Sequence, residues 1–462
     1  MATVSAAAAP GETPWLYARL ASFGEAVALV HRGLSVSYRA LLMRAGTFDA
    51  ELQARGIGAG SVVLLEGSYS EGAVALLLAL LRRGAICVPL TPQAAVQREA
   101  FAAIAEVAYR CTFDDADQCT IEGVPRAPTS PLLQRLVQNG HPGLVLFSSG
   151  STGRPKAVLH DFATLLEKFV KPGQRKATLS FLLFDHIGGV DTLFNTLANG
   201  GTLVTTSARD PDAVCAAIAA HRVHTLPASP TFLNLMLLSQ AHLRHDLSSL
   251  QVVAYGTEPM PEPLLARLAA ALPHTKLVQT YGLSELGVLR TKSREGSLFV
   301  KFSGEGFETQ VRDGVLWVKA RTAMLGYLNA PDLFDANGWL NTEDAVEVDG
   351  EWLHLLGRVS DLINVGGRKV YPAEVEAVLL QCPNVRDVAV FGEKNPITGQ
   401  AVAARFNLLE PEPLDIFKKR LRTFCRDKLP PYKVPARIEL TDREQFNARL
   451  KKMRPAGGRG EA

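Results

Sequence analysis

Cysteine is scarce and poorly placed for cross-linking. Six occur in 462 residues, at 87, 111, 119, 215, 382 and 425, with no C-x-x-C pair and no histidine beside the one close pair, Cys111 and Cys119. A disulfide framework or a zinc site is therefore not expected, and reduced thiols in a cytoplasmic protein are the simpler reading. Long apolar runs are missing too: the longest, residues 73–81, is about half the ~20 residues a membrane span needs. The Ala-rich segment 2–10 has neither the charged nor the apolar region of a secretory signal. Nor does one sign of charge dominate. Lys plus Arg number 49 against 46 Asp plus Glu, which leaves no chain-wide electrostatic case for nucleic acid. What is plentiful is apolar residue, 47% against 21% charged. That is enough for real cores in roughly two to four domains.

Helices alternate with short apolar strands through most of the chain. The spacing predicts a helix over 71–83, ended by Gly84, then a strand over 85–90. The same cadence returns as helix 192–199, Gly200-Gly201 and strand 202–205, and again as helix 212–221 and strand 223–226. Residues 250–255 and 276–280 are further apolar runs, each ending at a polar or Gly-rich turn. This is the pattern of an α/β protein with a large N-terminal domain of mainly parallel sheets, where ligands bind at the carboxyl ends of strands. After about residue 290 the strands shorten, with Asp349-Gly350 as a hairpin signal between 346–348 and 352–355. From Arg358 a small α+β unit is expected: strand 361–365, helix 372–380, strand 385–391 and helix 414–428 before Pro430-Pro431. The predicted domains are 1–357 and 358–462.

Three strand-end loops carry chemistry. Phe147-Ser148-Ser149-Gly150-Ser151-Thr152-Gly153-Arg154-Pro155-Lys156 lies between apolar strands 144–147 and 157–160. Its glycines free the backbone to wrap an anion, its hydroxyls donate, and Lys156 adds a point charge, which is what a polyphosphate cradle needs. It does not match the Walker pattern G-x-x-x-x-G-K-S/T. A flexible linker would have similar composition, but not this position between strands. The second loop is Gln279-Thr280-Tyr281-Gly282-Leu283-Ser284-Glu285. Its aromatic ring, glycine, hydroxyl and carboxylate could stack a base, approach a ligand and hold magnesium, although a turn with a capping serine would look the same. The third is Tyr255-Gly256-Thr257-Glu258-Pro259.

Together these loops closely resemble the acyl- and aryl-CoA ligases of the adenylate-forming superfamily, which also contains luciferases and peptide-synthetase adenylation domains. The phosphate loop of that family is similar to Ser148 through Lys156, its Tyr-Gly-x-Thr/Ser-Glu motif to Tyr281 through Glu285, and its Gly-x-Glu-Pro segment to Gly256 through Pro259. Gly338-Trp339-Leu340-Asn341-Thr342-Glu343-Asp344 resembles its Gly-Trp…Thr-Gly-Asp. Gly357-Arg358-Val359-Ser360-Asp361 resembles its hinge, and Gly366-Gly367-Arg368-Lys369-Val370-Tyr371-Pro372 the loop that follows. The resemblance spans nearly the whole chain, to Arg454, and implies a large domain plus a small mobile C-terminal domain hinged at 358–361.

The resemblance implies two half-reactions: a carboxylate attacks the α-phosphorus of ATP, giving an acyl-adenylate and pyrophosphate, and a thiol then displaces AMP. It implies that Ser148, Ser149, Gly150, Ser151, Thr152, Gly153 and Lys156 hold the β- and γ-phosphates, that Ser284 contacts the α-phosphate and that Glu285 binds magnesium. Tyr281 would stack on adenine, Gly282 beside it would also contact the nucleotide, and Gly256, Thr257 and Glu258 would line the adenine and acyl sites. Asp344 would accept from the ribose hydroxyls with Arg358 assisting. In the catalytic loop 447–454, Lys451 would bridge the carboxylate and α-phosphate in adenylation, with Lys452 as runner-up. The Gly366-Gly367 loop would approach for the second step, with CoA as acceptor. His186 resembles the family's gating residue beside the carboxylate; a lone histidine is as readily a satisfied core residue.

Three departures stand out. Glu343 replaces glycine in Thr-Gly-Asp and should alter that turn while keeping Asp344; Ser360 takes the hinge position, commonly Asp or Lys; and Leu450 stands where a glycine would precede the lysine, so a positive φ is disfavoured there. The expected substrate is a small carboxylic acid, with a lean towards an aryl acid. Two rivals remain: transfer of the acyl group to an acyl carrier protein thiol or to an amine or hydroxyl, and a non-catalytic adenylate-binding protein.

Overall fold

The computed structural model describes residues 13–148, 155–206, 208–331, 333–447 and 450–454. Two seven-stranded sheets face each other across a layer of helices. In the first, strands run in the order Lys276–Gln279, Val252–Tyr255, Thr225–Ala228, Ala177–Leu179, Thr202–Val204, Val27–His31 and Leu34–Ser37. All neighbours are parallel except the last hairpin. In the second, Gly143–Ser148, Ile86–Leu90, Val62–Glu66 and Tyr109–Phe113 form a parallel centre. Antiparallel partners flank it on both sides. Such strands are covered on both faces, which is why they read as continuous apolar runs.

The layer between the sheets holds Tyr38–Ala54, Glu71–Arg82 and Ile187–Ala198, and its core takes side chains from both sheets. Every residue from Gly72 through Leu81 is buried. Ser70 caps that helix by accepting from Ala73 N at 3.2 Å. Further helices cover the outer faces, Pro211–His221, Pro230–Leu238 and Glu262–Ala271 on the first sheet, Arg98–Ile104 and Pro131–Gln138 on the second. The layering is α–β–α–β–α, the α/β architecture expected.

A six-stranded antiparallel sheet follows, containing the predicted hairpin as Leu340–Asp349 and Trp352–Arg358. Residues 363–440 then build a separate core around a five-stranded sheet with helices Pro372–Leu379 and Leu414–Cys425. Three expectations shift. The helix predicted at 192–199 starts earlier, at Ile187. The helix predicted at 414–428 ends at Cys425, where Lys428 N and Leu429 N both donate to the Cys425 carbonyl and turn the chain. A strand at Gly399–Leu408, central to the small sheet, was not foreseen. All six cysteines are free thiols, five of them buried. Among the described residues, no helix is long and apolar enough to cross a membrane.

Candidate active site

The chemistry-bearing loops leave the carboxyl ends of parallel strands, as the layered fold requires. The phosphate-type loop joins the antiparallel strands Gly143–Ser148 and Lys156–Asp161, with Ser148 paired to Lys156 at its base. Ser149, Gly150, Ser151, Thr152 and Gly153 lie outside the described residues. The exit of the loop is clamped by Asn329, whose Oδ1 accepts from Ala157 N and whose Nδ2 donates to Pro155 O, each at 2.9 Å. Lys156 Nζ sits 5.1 Å from the ring centroid of Tyr327. The Tyr327 hydroxyl donates to Glu285 Oε1 at 2.6 Å, so one side chain ties the loop lysine to the predicted magnesium carboxylate.

Glu285 and Ser284 form the turn between Tyr281–Leu283 and Gly287–Leu289. Behind them His160 is buried, with Nε2 2.6 Å from the Ser284 carbonyl. Burial lowers its ring pKa, and Nε2–H is the donor that fits. Gly256 is needed for a close approach: a Cβ there would come 2.6 Å from Thr280 Oγ1 and 2.8 Å from Thr280 O.

Tyr281, Asp344 and Arg358 make a second cluster. Asp344 and Arg358 are cross-strand partners. Asp344 Oδ2 accepts from the Tyr281 hydroxyl at 2.7 Å, and Oδ1 lies 2.9 Å from Arg358 Nε. Burial pushes the Asp344 carboxyl up, against the opposing pull of Arg358 and the Tyr281 hydroxyl. Tyr281 is 5% exposed and its ring packs edge-on to Phe302, so it offers a ligand only a small face. Glu343 adopts φ +58°; the turn expected to change keeps the left-handed conformation glycine would take.

The C-terminal loop enters this assembly from the small domain. Leu450 has φ +51°, which corrects the expectation from its side chain. Ser229 Oγ donates to the Leu450 carbonyl at 2.7 Å, and the leucine side chain packs on the core of the first sheet. Tertiary contacts thus hold a conformation that local preference opposes. Glu258 Oε1 accepts from Thr231 N at 2.7 Å, and its Oε2 accepts from Lys452 N at 3.0 Å. The Lys451 ammonium feels this cluster: crowding by protein and the Arg358 charge lower its pKa while Glu258 and Asp344 oppose them. Lys452 turns the other way, its Nζ 2.9 Å from Asp387 Oδ1 and 2.8 Å from Val388 O in the small domain.

Gly366 and Gly367 form a small-domain turn whose bonds go to Thr398 O and Asn364 Oδ1. A Cβ on Gly367 would meet nothing within 4 Å, so the turn is open. His186 caps the buried helix Ile187–Ala198, its Nδ1 accepting from Gly188 N at 3.1 Å. Asp185 beside it is buried; its Oδ2 accepts from Thr91 Oγ1 at 3.1 Å while Oδ1 has no hydrogen-bond partner among the described residues. Asp185, His160, Tyr327 and Asn329 were not singled out in the sequence, because each acts through a partner distant in the chain.

Residues 16–328 match the AMP-binding enzyme family, and residues 374–451 match the AMP-binding enzyme C-terminal domain. The chain belongs to the AMP-binding enzyme family. Among curated relatives of this AMP-binding enzyme, the 2-succinylbenzoate–CoA ligase of Bacillus licheniformis is 31% identical over 362 residues, 72% of this chain and 73% of the relative. The feruloyl-CoA synthase of Amycolatopsis sp. is 28% identical over 93% of this chain and 94% of its own. Of solved structures, the anthranilate CoA ligase AuaEII in complex with anthranoyl-AMP superposes with a TM-score of 0.79 over 95% of each chain, at 20% identity. That likeness is one of fold. A variant of the amide bond synthetase McbA from Marinactinospora thermotolerans has a TM-score of 0.75 and 25% identity over 95% of this chain and 97% of its own.

Proposed function

We propose that the protein is an AMP-forming acid–CoA ligase. It activates a carboxylic acid with ATP as the acyl-adenylate, releases pyrophosphate, and passes the acyl group to the CoA thiol with release of AMP. The observation that carries this reading is the convergence of Lys451, the Tyr281–Asp344–Arg358 cluster and Glu258, contributed by both parts of the chain. A binding protein has no use for a lysine delivered on a separate loop; a reaction that builds charge on an α-phosphate does.

In this reading Lys451 neutralises charge between the carboxylate and the α-phosphate, and Ser284 donates to the α-phosphate. Asp344 receives the ribose hydroxyls; a carboxylate oxygen has lone pairs beyond the one given to Tyr281 or Arg358. Lys156, Ser148 and the loop between them hold the outer phosphates. Glu285 fits a magnesium ion carried by the nucleotide, since Tyr327 engages one of its oxygens and such an ion takes only one or two protein carboxylates. That ion would supply charge neutralisation on the polyphosphate. We divide the chain at 357/358, with the hinge at 358–361 and the open Gly366-Gly367 turn brought to the site for the second step. We assign His186 and Asp185 to the acyl-binding end of the site. An aryl acid is favoured as substrate, supported by the 2-succinylbenzoate and feruloyl relatives.

The test is mass spectrometry of products from purified protein, ATP, magnesium and a panel of benzoic, hydroxybenzoic, aminobenzoic, cinnamic and fatty acids, with and without CoA. An acyl-CoA mass from one class of acid is expected. Acyl-adenylate that ignores CoA but couples to amines would favour the amide-forming reading, which the McbA likeness supports. No adenylate from any acid would sink both.

A further inference from the structure

We propose that Lys452 is a positioning residue: its ammonium, locked into the small domain against Asp387 and the Val388 carbonyl, turns the neighbouring Lys451 towards Asp344 and Arg358. The inference rests on the adenylation role proposed for Lys451.

The side chain of Lys452 is nine-tenths buried, as its exposure of 10% shows, and that of Asp387 is 14% exposed. Burial alone would lower the ammonium pKa, but the carboxylates of Glu376 and Asp387 more than offset it and raise it. Lys452 is therefore held as a cation. Its segment is one arm of a tight hairpin: Phe446 bridges Lys452 in antiparallel fashion, Asn447 N donates to Lys451 O, and Met453 N donates to Gln445 O. Successive side chains of such an arm point to opposite sides. Residue 454 must then share the face of residue 452, and it does. Arg454 grips Glu376 with two bonds, Nε to Oε1 at 3.0 Å and Nη2 to Oε2 at 2.7 Å. Residues 452 and 454 bind the small domain; residue 451, which by the same alternation shares the opposite face with residue 453, faces the site.

A buried lysine–aspartate pair is a poor source of stability compared with apolar side chains of the same size. What it supplies is direction, because two fixed acceptors define where the ammonium points and hence how the backbone is rolled. The grip lies wholly within the small domain, whereas Lys452 N to Glu258 and Ser229 Oγ to Leu450 O join the two parts of the chain. Rotation of the small domain would break the latter pair and leave the former intact.

The full chain carrying Lys452→Met keeps the volume and removes the charge. ATP–pyrophosphate exchange should fall about tenfold to a hundredfold in kcat, the size of effect a misaimed group produces, while KM for ATP changes little. Thioester formation from supplied acyl-adenylate and CoA should stay near wild type, and Lys452→Arg should recover most of the exchange activity. Parallel loss of both half-reactions, or loss of neither, would overturn the proposal. Should Lys452→Met fail to fold, Asp387→Asn decides, with the same split expected at smaller size and an unsplit result refuting it. Lys451→Ala is run alongside. If it spares adenylation, the reading of Lys451 fails; if it abolishes adenylation while Lys452→Met is neutral, only the present inference fails.

Discussion

Glu343→Gly should give a more stable protein than Glu343→Ala, although alanine is ordinarily the less costly residue. Glu343 holds φ at +58°, a conformation that costs an L-residue about 1–2 kcal/mol and glycine nothing. Glycine gives back about 0.5–1 kcal/mol through the greater freedom of its unfolded chain. The net advantage of glycine over alanine is about 0.5–1 kcal/mol. The comparison is clean because other contributions cancel. The Glu343 side chain is 57% exposed and reaches Arg358 Nη1 at 3.8 Å, an exposed pair contributing about 0–1 kcal/mol, and both variants lose it equally. Both also keep the backbone bond from residue 343 N to Asn341 Oδ1. Paired denaturant titrations of the two variants, with matched slopes, read the difference directly. Equal stability, or an alanine variant more stable than the glycine one, would refute the claim that strain is stored at this turn. Leu450→Gly should show much less benefit, since its strain relief is set against loss of the leucine's packing on the first sheet's core.

Two further outcomes follow, one from packing and one from electrostatics. Gly189→Ala should destabilise by about 2–3 kcal/mol or prevent folding, because the added Cβ would lie 1.9 Å from Leu183 O and 2.4 Å from Tyr69 Oη; thermal melts check it, and a neutral variant would mean the helix N-terminus can shift. Crowding lowers the Lys451 pKa, so the alkaline limb of the adenylation pH profile should fall below the ordinary ~10.4 of lysine. By linkage the unfolded chain binds that proton more tightly, so between the depressed folded value and ~10.4 stability attributable to this group rises with pH. Lys451→Met should remove that rise, as melts across the window would show.

The sequence made the α/β layers readable because the buried strands are short apolar runs, and the buried helix Glu71–Arg82 carries its apolar residues all round and is closed by Gly84. It misled where glycine had a packing job. Gly188 and Gly189 look like a break before a helix at 192, yet they lie in its first turn, where a Cβ on Gly189 would meet Leu183 O at 1.9 Å and one on Gly188 the Leu182 side chain at 2.7 Å. Strand Gly399–Leu408 opens on Gly-Gln and is rich in alanine, so its strand character comes from neighbours on both sides rather than from its own composition. In the site, loops at strand ends announced themselves by residue type. Their supports did not: Tyr327 is 42 residues from Glu285, and His160 is 124 from Ser284. No local pattern marks such pairs.

Three of the strained positions share one placement. Thr257, Glu343 and Leu450 have φ of +73°, +58° and +51°, and each immediately precedes a charged member of the site, namely Glu258, Asp344 and Lys451. A left-handed residue reverses the local run of the chain, so the next side chain leaves in a direction that an extended or helical segment would not give it. Glycine would make these kinks at lower cost but with more freedom; a threonine, a glutamate and a leucine make them stiffly. Thr257 sits beside a carboxylate bonded to both Thr231 N and Lys452 N, and Leu450 has its own carbonyl held by Ser229. The surrounding bonds over-determine the backbone where it is least comfortable, which is the condition under which such strain persists. The positions where Leu450 and Glu343 depart from the glycines of related motifs are therefore positions where the chain fixes its charges more rigidly, and this weighs against reading those departures as signs of a lost activity.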